Sequence, residues 1–251
     1  MRGALHVVVL AAGRGSRLAS LGDATPKWLI EAGGRTLADR QLAGFRAADG
    51  AVASITVVTG HAAPAIEMEV VRRSEEIRLL HNPQFAELNN WWSLLLALRE
   101  LPADGPVLVI NADLMVDPSH VAGFVRAAAE GEAEGLLAVD LQRELSDEAM
   151  KVALSREGTL ARIGKVDVVA PEGEYVGMLA ARGQALRSLR SALEGFVGRA
   201  ESSDEWYERA VGDTVAAGAA WHIWPMLSTD WVEIDDDSDL DAANRIAWAT
   251  V

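Results

Sequence analysis

One short stretch near the N-terminus constrains this chain more than any other. Val7-Val8-Val9-Leu10 is a continuous β-branched and aliphatic run, the pattern of a strand buried on both faces of a parallel sheet. It passes at once into Ala11-Ala12-Gly13-Arg14-Gly15-Ser16-Arg17, and Pro26-Lys27 follows nine residues later. Glycines let main-chain N–H groups approach anionic oxygens, while Arg14, Arg17 and Lys27 concentrate positive charge beside them. A buried strand feeding such a loop reads as a cradle for the phosphates of a nucleoside triphosphate.

Local charge matters here because the chain is acidic as a whole. Among 251 residues, 37 Asp and Glu oppose 23 Lys and Arg, a net charge of −14 that repels nucleic acid and anionic membrane surfaces. With no cysteine, disulfides, zinc–thiolate sites, iron–sulfur clusters and thiol nucleophiles are all excluded. Half the residues are hydrophobic, enough for one large core or one core with a small lobe. No run approaches the roughly 18 apolar residues of a membrane span. The apolar stretch from Ala4 to Ala12 is short for a signal core and ends in the glycine turn, so a cytoplasmic location is expected.

Along the chain, buried runs at Val7 to Leu10, Ile55 to Val58, Ile77 to Leu80 and Val107 to Ile110 alternate with helical patterns. The helices are expected at about Leu37 to Ala48, Ala62 to Arg73 and Asn90 to Arg99, with Asp117-Pro118 opening another. Alternation of this kind predicts an α/β fold with a doubly wound, mainly parallel, Rossmann-like sheet, its ligands at the carboxyl ends of the strands. The later runs, Leu136 to Val139, Lys151 to Leu154, Leu160 to Ile163 and Tyr175 to Leu179, lack long helices between them and read as a small β extension facing an acceptor. Ser202-Ser203-Asp204-Glu205 offers a capping box for a helix to about Ala216, and Asp237 to Ala249 reads as a closing helix. One domain over residues 1–251 is expected, with a nucleotide-binding half at 1–130 and an acceptor-binding, metal-completing half at 131–251.

A dinucleotide fingerprint would want a third glycine near Leu18 and an acidic residue where Thr59-Gly60 ends the second strand. A Walker loop would want Gly-Lys-Ser/Thr opening a helix. The observed LAAGxGxR followed by PKxL instead resembles the nucleotidyltransferase superfamily of sugar-nucleotide pyrophosphorylases and small-acceptor cytidylyltransferases. That resemblance implies nucleotide contacts from Leu10, Ala11, Ala12, Gly13, Arg14, Gly15, Ser16, Arg17 and Lys27, with Asn82 and Asn111 nearby. It implies Mg²⁺ on Asp113, in Asn111-Ala112-Asp113, and on Asp235, in Trp231-Val232-Glu233-Ile234-Asp235, with Glu233 as a stand-in ligand. Asp236, Asp237 and Asp239 read instead as helix N-terminal charge.

Asn82-Pro83 followed by Asn89-Asn90-Trp91-Trp92-Ser93-Leu94 is more similar to the branch acting on choline phosphate or phosphonates than to the sugar branch. The same residues also read as a helix cap, Asn89 or Asn90, ahead of core tryptophans. Lys151 and Lys165 stand in apolar strand-like runs, and Gly173-Glu174-Tyr175-Val176-Gly177 resembles an acceptor-pocket strand. The acceptor set is therefore Asn89, Asn90, Trp92, Lys151, Lys165, Glu174 and Tyr175.

The implied chemistry is attack by a phosphonate or phosphate-monoester oxygen on the α-phosphorus of CTP, with Lys27, Arg17 and Lys165 as the catalytic cations and pyrophosphate leaving. The lysines favour a compact dianion with little need for a cationic tail. Partners are thus a nucleoside triphosphate and a small anionic acceptor, without nucleic acid or membrane; a homodimer is left open. The alternatives are a sugar-1-phosphate nucleotidyltransferase using UTP or dTTP, and a non-catalytic nucleotide-sensing module.

Overall fold

In the computed structural model, which describes residues 3–15, 17–18, 25–73 and 76–246, the first apolar run lies within β1 (Leu5–Ala11). Val7 and Val9 enter one hydrophobic cluster, Val8 and Leu10 another, so alternate side chains serve the two faces of the sheet. Past the glycine loop, a single turn at Lys27–Leu29 leads to the short hairpin of β2 (Glu31–Ala32) and β3 (Arg35–Thr36). Helix α1 (Leu37–Ala47) starts at a reciprocal Thr36 and Asp39 capping box. The alternation continues with β4 (Val52–Thr59), α2 (Ala63–Arg73), β5 (Ile77–His81), α3 (Asn90–Glu100) and β6 (Val107–Asn111).

β1 pairs in parallel with β4 and β6, and β4 with β5, as the sequence pattern requires. After β7 (Leu114–Val116), α4 (Pro118–Glu130) begins at the expected cap, Asp117 accepting from the Ser119 N–H. The second half extends the same sheet through β8 (Gly135–Asp140), β9 (Lys151–Leu154), β10 (Leu160–Gly164) and β11 (Gly173–Ala181). β11 lies antiparallel between β6 and the pair β9 and β8, and β10 forms the outer edge. Helices α1, α2 and α4 cover one face of this nine-stranded sheet.

One expectation needs correction, and two elements were not anticipated. As expected, no long helix separates β8, β9, β10 and β11, but after β11 an unread helix, α5 (Gly183–Glu194), brings Leu186, Leu189 and Leu193 into the core beside α3. The helix expected to open at Ser202 starts later, as α6 (Tyr207–Ala216). The chain makes a separate turn at Ala200–Ser202, and the Tyr207 N–H is satisfied by Asn90 Oδ1 of α3 instead of by a capping serine. β12 (His222–Met226), not anticipated, adds in parallel to β8. Finally β13 (Trp231–Glu233) pairs with β7, and α7 (Asp237–Asn244) is capped by Asp236 and Asp239, in keeping with the helix-terminal reading of those aspartates. Ser16 and the far end of the expected closing helix, toward Ala249, lie outside the described residues.

Candidate active site

The carboxyl ends of β1 and β6 lie side by side, with Leu10 opposite Asn111. The glycine loop and Asp113 therefore emerge together at the edge where open α/β sheets bind ligands. The β13 and β7 ladder sets Glu233 against Leu114, and the Ile234 N–H donates to the Asp113 carbonyl at 3.0 Å. Residues far apart in sequence thus converge: carboxylate oxygens of Asp113, Glu233 and Asp235 all lie within 4.8 Å of one another.

Lys27 stands among them. Its Nζ donates to Asp113 Oδ2 at 3.0 Å and also to Asp235 Oδ1, while Arg17 Nη2 reaches Asp235 Oδ2 at 2.8 Å. Burial alone would lower the Lys27 ammonium, but the charges of Asp113 and Asp235 outweigh it and hold the ammonium above its usual range. Gly15 closes the loop over this lysine at φ +60, a left-handed conformation in which a Cβ would meet Lys27 Cγ at 3.1 Å. Glu233 reaches solvent within the cleft, yet crowding by surrounding atoms, then repulsion from Asp113 and Asp235, pushes its carboxyl up to about 8. Asp113 Oδ1 is buried without a hydrogen-bond partner. Clustered hard oxygens with one orphaned atom fit a divalent cation such as Mg²⁺.

This corner opens into a cleft of about 370 Å³, with a smaller recess of about 190 Å³ beneath the loop lined by Gly13, Gly15, Lys27, Asp113 and Asp235. Leu10, Ala12, Arg17 and Asn111 also line the cleft, and Ala11 the recess. Arg14 is turned away, its guanidinium 5.8 Å over the Phe85 ring. Asn82 is fully buried behind the wall, donating to Ser93 Oγ at 2.9 Å and accepting from the Gln84 N–H.

Of the residues expected to meet an acceptor, Asn89 caps α3 and Asn90 caps α6, and both line the cleft. Tyr175 and Tyr207 share a buried 2.8 Å hydrogen bond, and the Tyr207 hydroxyl donates to Asn111 Oδ1 at 3.2 Å. Gly177, at φ +89, admits the Asn111 amide, whose Nδ2 would lie 3.0 Å from any Cβ there. Lys165 lines the cleft, 3.2 Å from Glu148 and 4.9 Å above the Trp206 ring. Lys151 does not: its ammonium donates to the main-chain carbonyls of Asp147 and Lys165, each at 3.0 Å, and so braces the segment that carries Lys165. Nor is Trp92 brought to the cleft; its ring packs against Trp91 and lies 5.4 Å below Arg99.

Among the cleft residues that sequence reasoning missed are Arg143, Trp206 and Glu208. Arg143 lies 4.4 Å over the Trp231 ring and 3.7 Å from Glu174, whose carboxyl burial pushes up. It follows the carboxyl end of β8, the edge that gathers ligands, but sits in a charge-rich loop that reads as a solvated surface.

A glycine-rich loop, a lysine held between carboxylates and a carboxylate cluster thus stand together at the carboxyl edge of the mainly parallel sheet. The chain belongs to the family of MobA-like NTP transferase domains, whose model matches residues 7–210. It is 31% identical over 160 residues to the bifunctional protein GlmU of Polaromonas naphthalenivorans, covering 62% of this chain and 32% of that protein. To the choline-phosphate cytidylyltransferase of Streptococcus pneumoniae it is 28% identical over 109 residues, covering 43% and 44%. The chain thus spans less than half the length of these curated relatives.

Among solved structures, the CTP:phosphocholine cytidylyltransferase LicC of S. pneumoniae shares the fold with TM-score 0.79 at 19% identity, over 97% of this chain and 99% of that one. The inositol-1-phosphate CTP transferase of T. maritima gives 0.78 at 21%, over 98% of each chain. A nucleoside-diphosphate-sugar pyrophosphorylase of Vibrio cholerae gives 0.73 at 15%, over 96% and 100%. No helix among the described residues is long and apolar enough to cross a membrane.

Proposed function

We propose that this protein is a Mg²⁺-dependent cytidylyltransferase that transfers CMP from CTP to a small phosphonate or phosphate-monoester acceptor and releases pyrophosphate. The observation that carries the proposal is the convergence of Asp113, Asp235 and Lys27 beneath a glycine loop, with Lys165 in the same cleft. The acceptor oxygen attacks the α-phosphorus, a P–O bond forms, and the bond to the β-phosphate breaks. Such an oxygen is ionised near neutral pH, so positioning and charge neutralisation suffice without a strong base.

Asp113 and Asp235, with Glu233 beside them, would hold the cation, which when bound supplies neutralisation of phosphate charge. Lys27, under the glycine loop, would meet the negative charge of the triphosphate. Arg17 joins it in drawing off charge on the leaving pyrophosphate, and Lys165, braced by Lys151, brings in the acceptor's anionic head. Similarity to CTP-using enzymes favours cytosine. A sugar-1-phosphate nucleotidyltransferase is the second reading, favoured by the GlmU relative.

Pyrophosphate release across four nucleoside triphosphates, against phosphonates, phosphocholine and hexose 1-phosphates, tests the proposal. Turnover with CTP and a phosphonate or phosphate monoester supports it. Turnover with hexose 1-phosphates and UTP or dTTP alone transfers the assignment to the sugar reading.

A further inference from the structure

One buried side chain joins the segments that carry Lys27 and Asp113 without using the charge of either. Gln41 of α1 is fully buried, and so is Trp28, the residue after Lys27. The Trp28 indole N–H donates to Gln41 Oε1 at 3.0 Å. The Gln41 amide in turn donates to the main-chain carbonyls of Asn111, at 3.0 Å, and Leu114, at 2.9 Å. Those carbonyls stand on either side of Asp113, at the end of β6 and the start of β7. Both amide hydrogens and the amide oxygen are thereby engaged.

A glutamine so placed has a plain structural duty, since carbonyls and an indole N–H shut away from water need partners. Its choice of partners adds a second. Lys27 and Asp113, 86 residues apart in sequence, meet directly through a 3.0 Å ion pair. Under the proposed function Lys27 serves the triphosphate and Asp113 the cation, so that pair is open to rearrangement by ligand. The Gln41 bridge is not, because it runs through an indole, an amide and main-chain carbonyls that carry no charge. It is anchored on α1, whose start is fixed by the capping box and whose Leu37, Ala38 and Leu42 are fully buried. We propose that Gln41 is a positioning residue that fixes the spacing of the Lys27 and Asp113 turns, and with it the geometry in which ammonium and metal carboxylate serve one triphosphate. This rests on the nucleotidyltransferase roles given above to Lys27 and Asp113, and it holds for either acceptor reading. Misplacing such groups by about 1 Å costs on the order of a hundredfold in rate.

Gln41→Met keeps the length of the side chain and removes all three hydrogen bonds. Pyrophosphate release at saturating substrates and Mg²⁺, with the donor and acceptor that the panel above selects, should show kcat at least about tenfold lower. Mn²⁺ binding to the nucleotide-free protein, followed by electron paramagnetic resonance, should weaken at least about threefold. Val121→Ala is the control for general loosening, because Val121 packs on α1 at Gly44 through apolar atoms alone. It should lower the melting temperature and leave kcat and Mn²⁺ affinity within about twofold. Trp28→Phe cuts the bridge at the Lys27 end and should lower kcat about threefold or more, while the double variant should be no worse than Gln41→Met by more than about twofold, as for two ends of one link. An unchanged kcat or Mn²⁺ affinity in Gln41→Met, or equal losses in Val121→Ala, overturns the positioning role and leaves a structural glutamine. Should Gln41→Met not fold, Trp28→Phe decides, and an unchanged kcat there overturns the role. If the intact protein releases no pyrophosphate with any pair in the panel, the transferase reading fails and the positioning role falls with it.

Discussion

At the end of the cleft proposed to hold the nucleotide, Lys27 and Arg17 are already matched by carboxylates, and the carboxylates stand at neighbouring strand ends. Lys27 bridges Asp113 and Asp235, and Arg17 pairs with Asp235. At the end proposed to take the acceptor, the groups come from a loop after β8, the end of β10, β11 and the first turn of α6, and Glu208 Oε2 is buried with no hydrogen-bond partner. The difference separates what the fold fixes from what a ligand must complete. The first end is a preformed set of ion pairs that, under the proposed function, a nucleotide and metal would rearrange, whereas the second holds a buried carboxylate oxygen that no group among the described residues satisfies.

The largest effects should come from the first end. Asp113→Asn and Asp235→Asn each remove an anionic ligand from the proposed Mg²⁺ site and should lower turnover by at least about a hundredfold with the fold intact. Steady-state pyrophosphate release and a circular dichroism spectrum check both halves of that statement. Near-normal turnover in Asp235→Asn would move the ligand role to Glu233.

Next in size is a stability effect at the second end. Burial pushes the Glu208 carboxyl from 4.5 up to about 7, so the folded protein holds its proton more tightly than the unfolded chain does. That contribution is fully present below about pH 4.5 and is lost as pH rises through about 7. Glu208→Gln, which cannot ionise, should match the parent at acidic pH and exceed its stability by roughly 3 kcal/mol at about pH 8. Urea titrations of the metal-free proteins at both pH values measure the difference; equal curves at alkaline pH would show that the carboxylate is not held at a cost.

A smaller effect is expected at Lys165, where the acceptor's anionic head is proposed to bind. Lys165→Ala should raise the acceptor KM roughly tenfold, the loss of one charge-assisted contact, while the KM for CTP moves less than about twofold. Equal changes in both constants would dissolve the distinction between the two ends.

Much of the nucleotide end was legible because its signals are local. Gly13, Gly15, Arg17 and Lys27 lie within one loop, and Glu233 and Asp235 are two apart on an extended segment, so both side chains reach the same side. The sheet's strands announced themselves by continuous apolar runs. The acceptor end depends on tertiary register instead. Reading the helix from Ser202 put its start in the wrong turn; the Asn90 to Tyr207 contact, with Tyr207, Ala210 and Val211 in the core, sets the face of α6 that carries Glu208 inward. Lys151 shows the same limit: its strand was read with the right boundaries, but where its ammonium ends depends on the carbonyls of two other segments. The stripe of Leu186, Leu189 and Leu193 was visible at helical spacing and went unread behind intervening serines and arginines.

The smallest expected effect tests whether the aromatic pair belongs to the acceptor end at all. Trp91 and Trp92 sit edge to face with ring centroids 5.5 Å apart, and Trp91 continues to Phe196 at 5.6 Å. Trp92 lies beneath Arg99, which is itself paired with Glu194, and its indole N–H is buried without a partner. A tryptophan so placed contributes packing and carries a polar atom that nothing satisfies. Trp92→Phe keeps most of the apolar volume and removes the orphaned N–H, so stability should change by no more than about 1 kcal/mol. The acceptor KM should change by less than about twofold, for amine-bearing and amine-free phosphonates alike. A tenfold rise confined to the amine-bearing acceptor would mean that the ring swings into the cleft during binding and faces the cation as an aromatic cage.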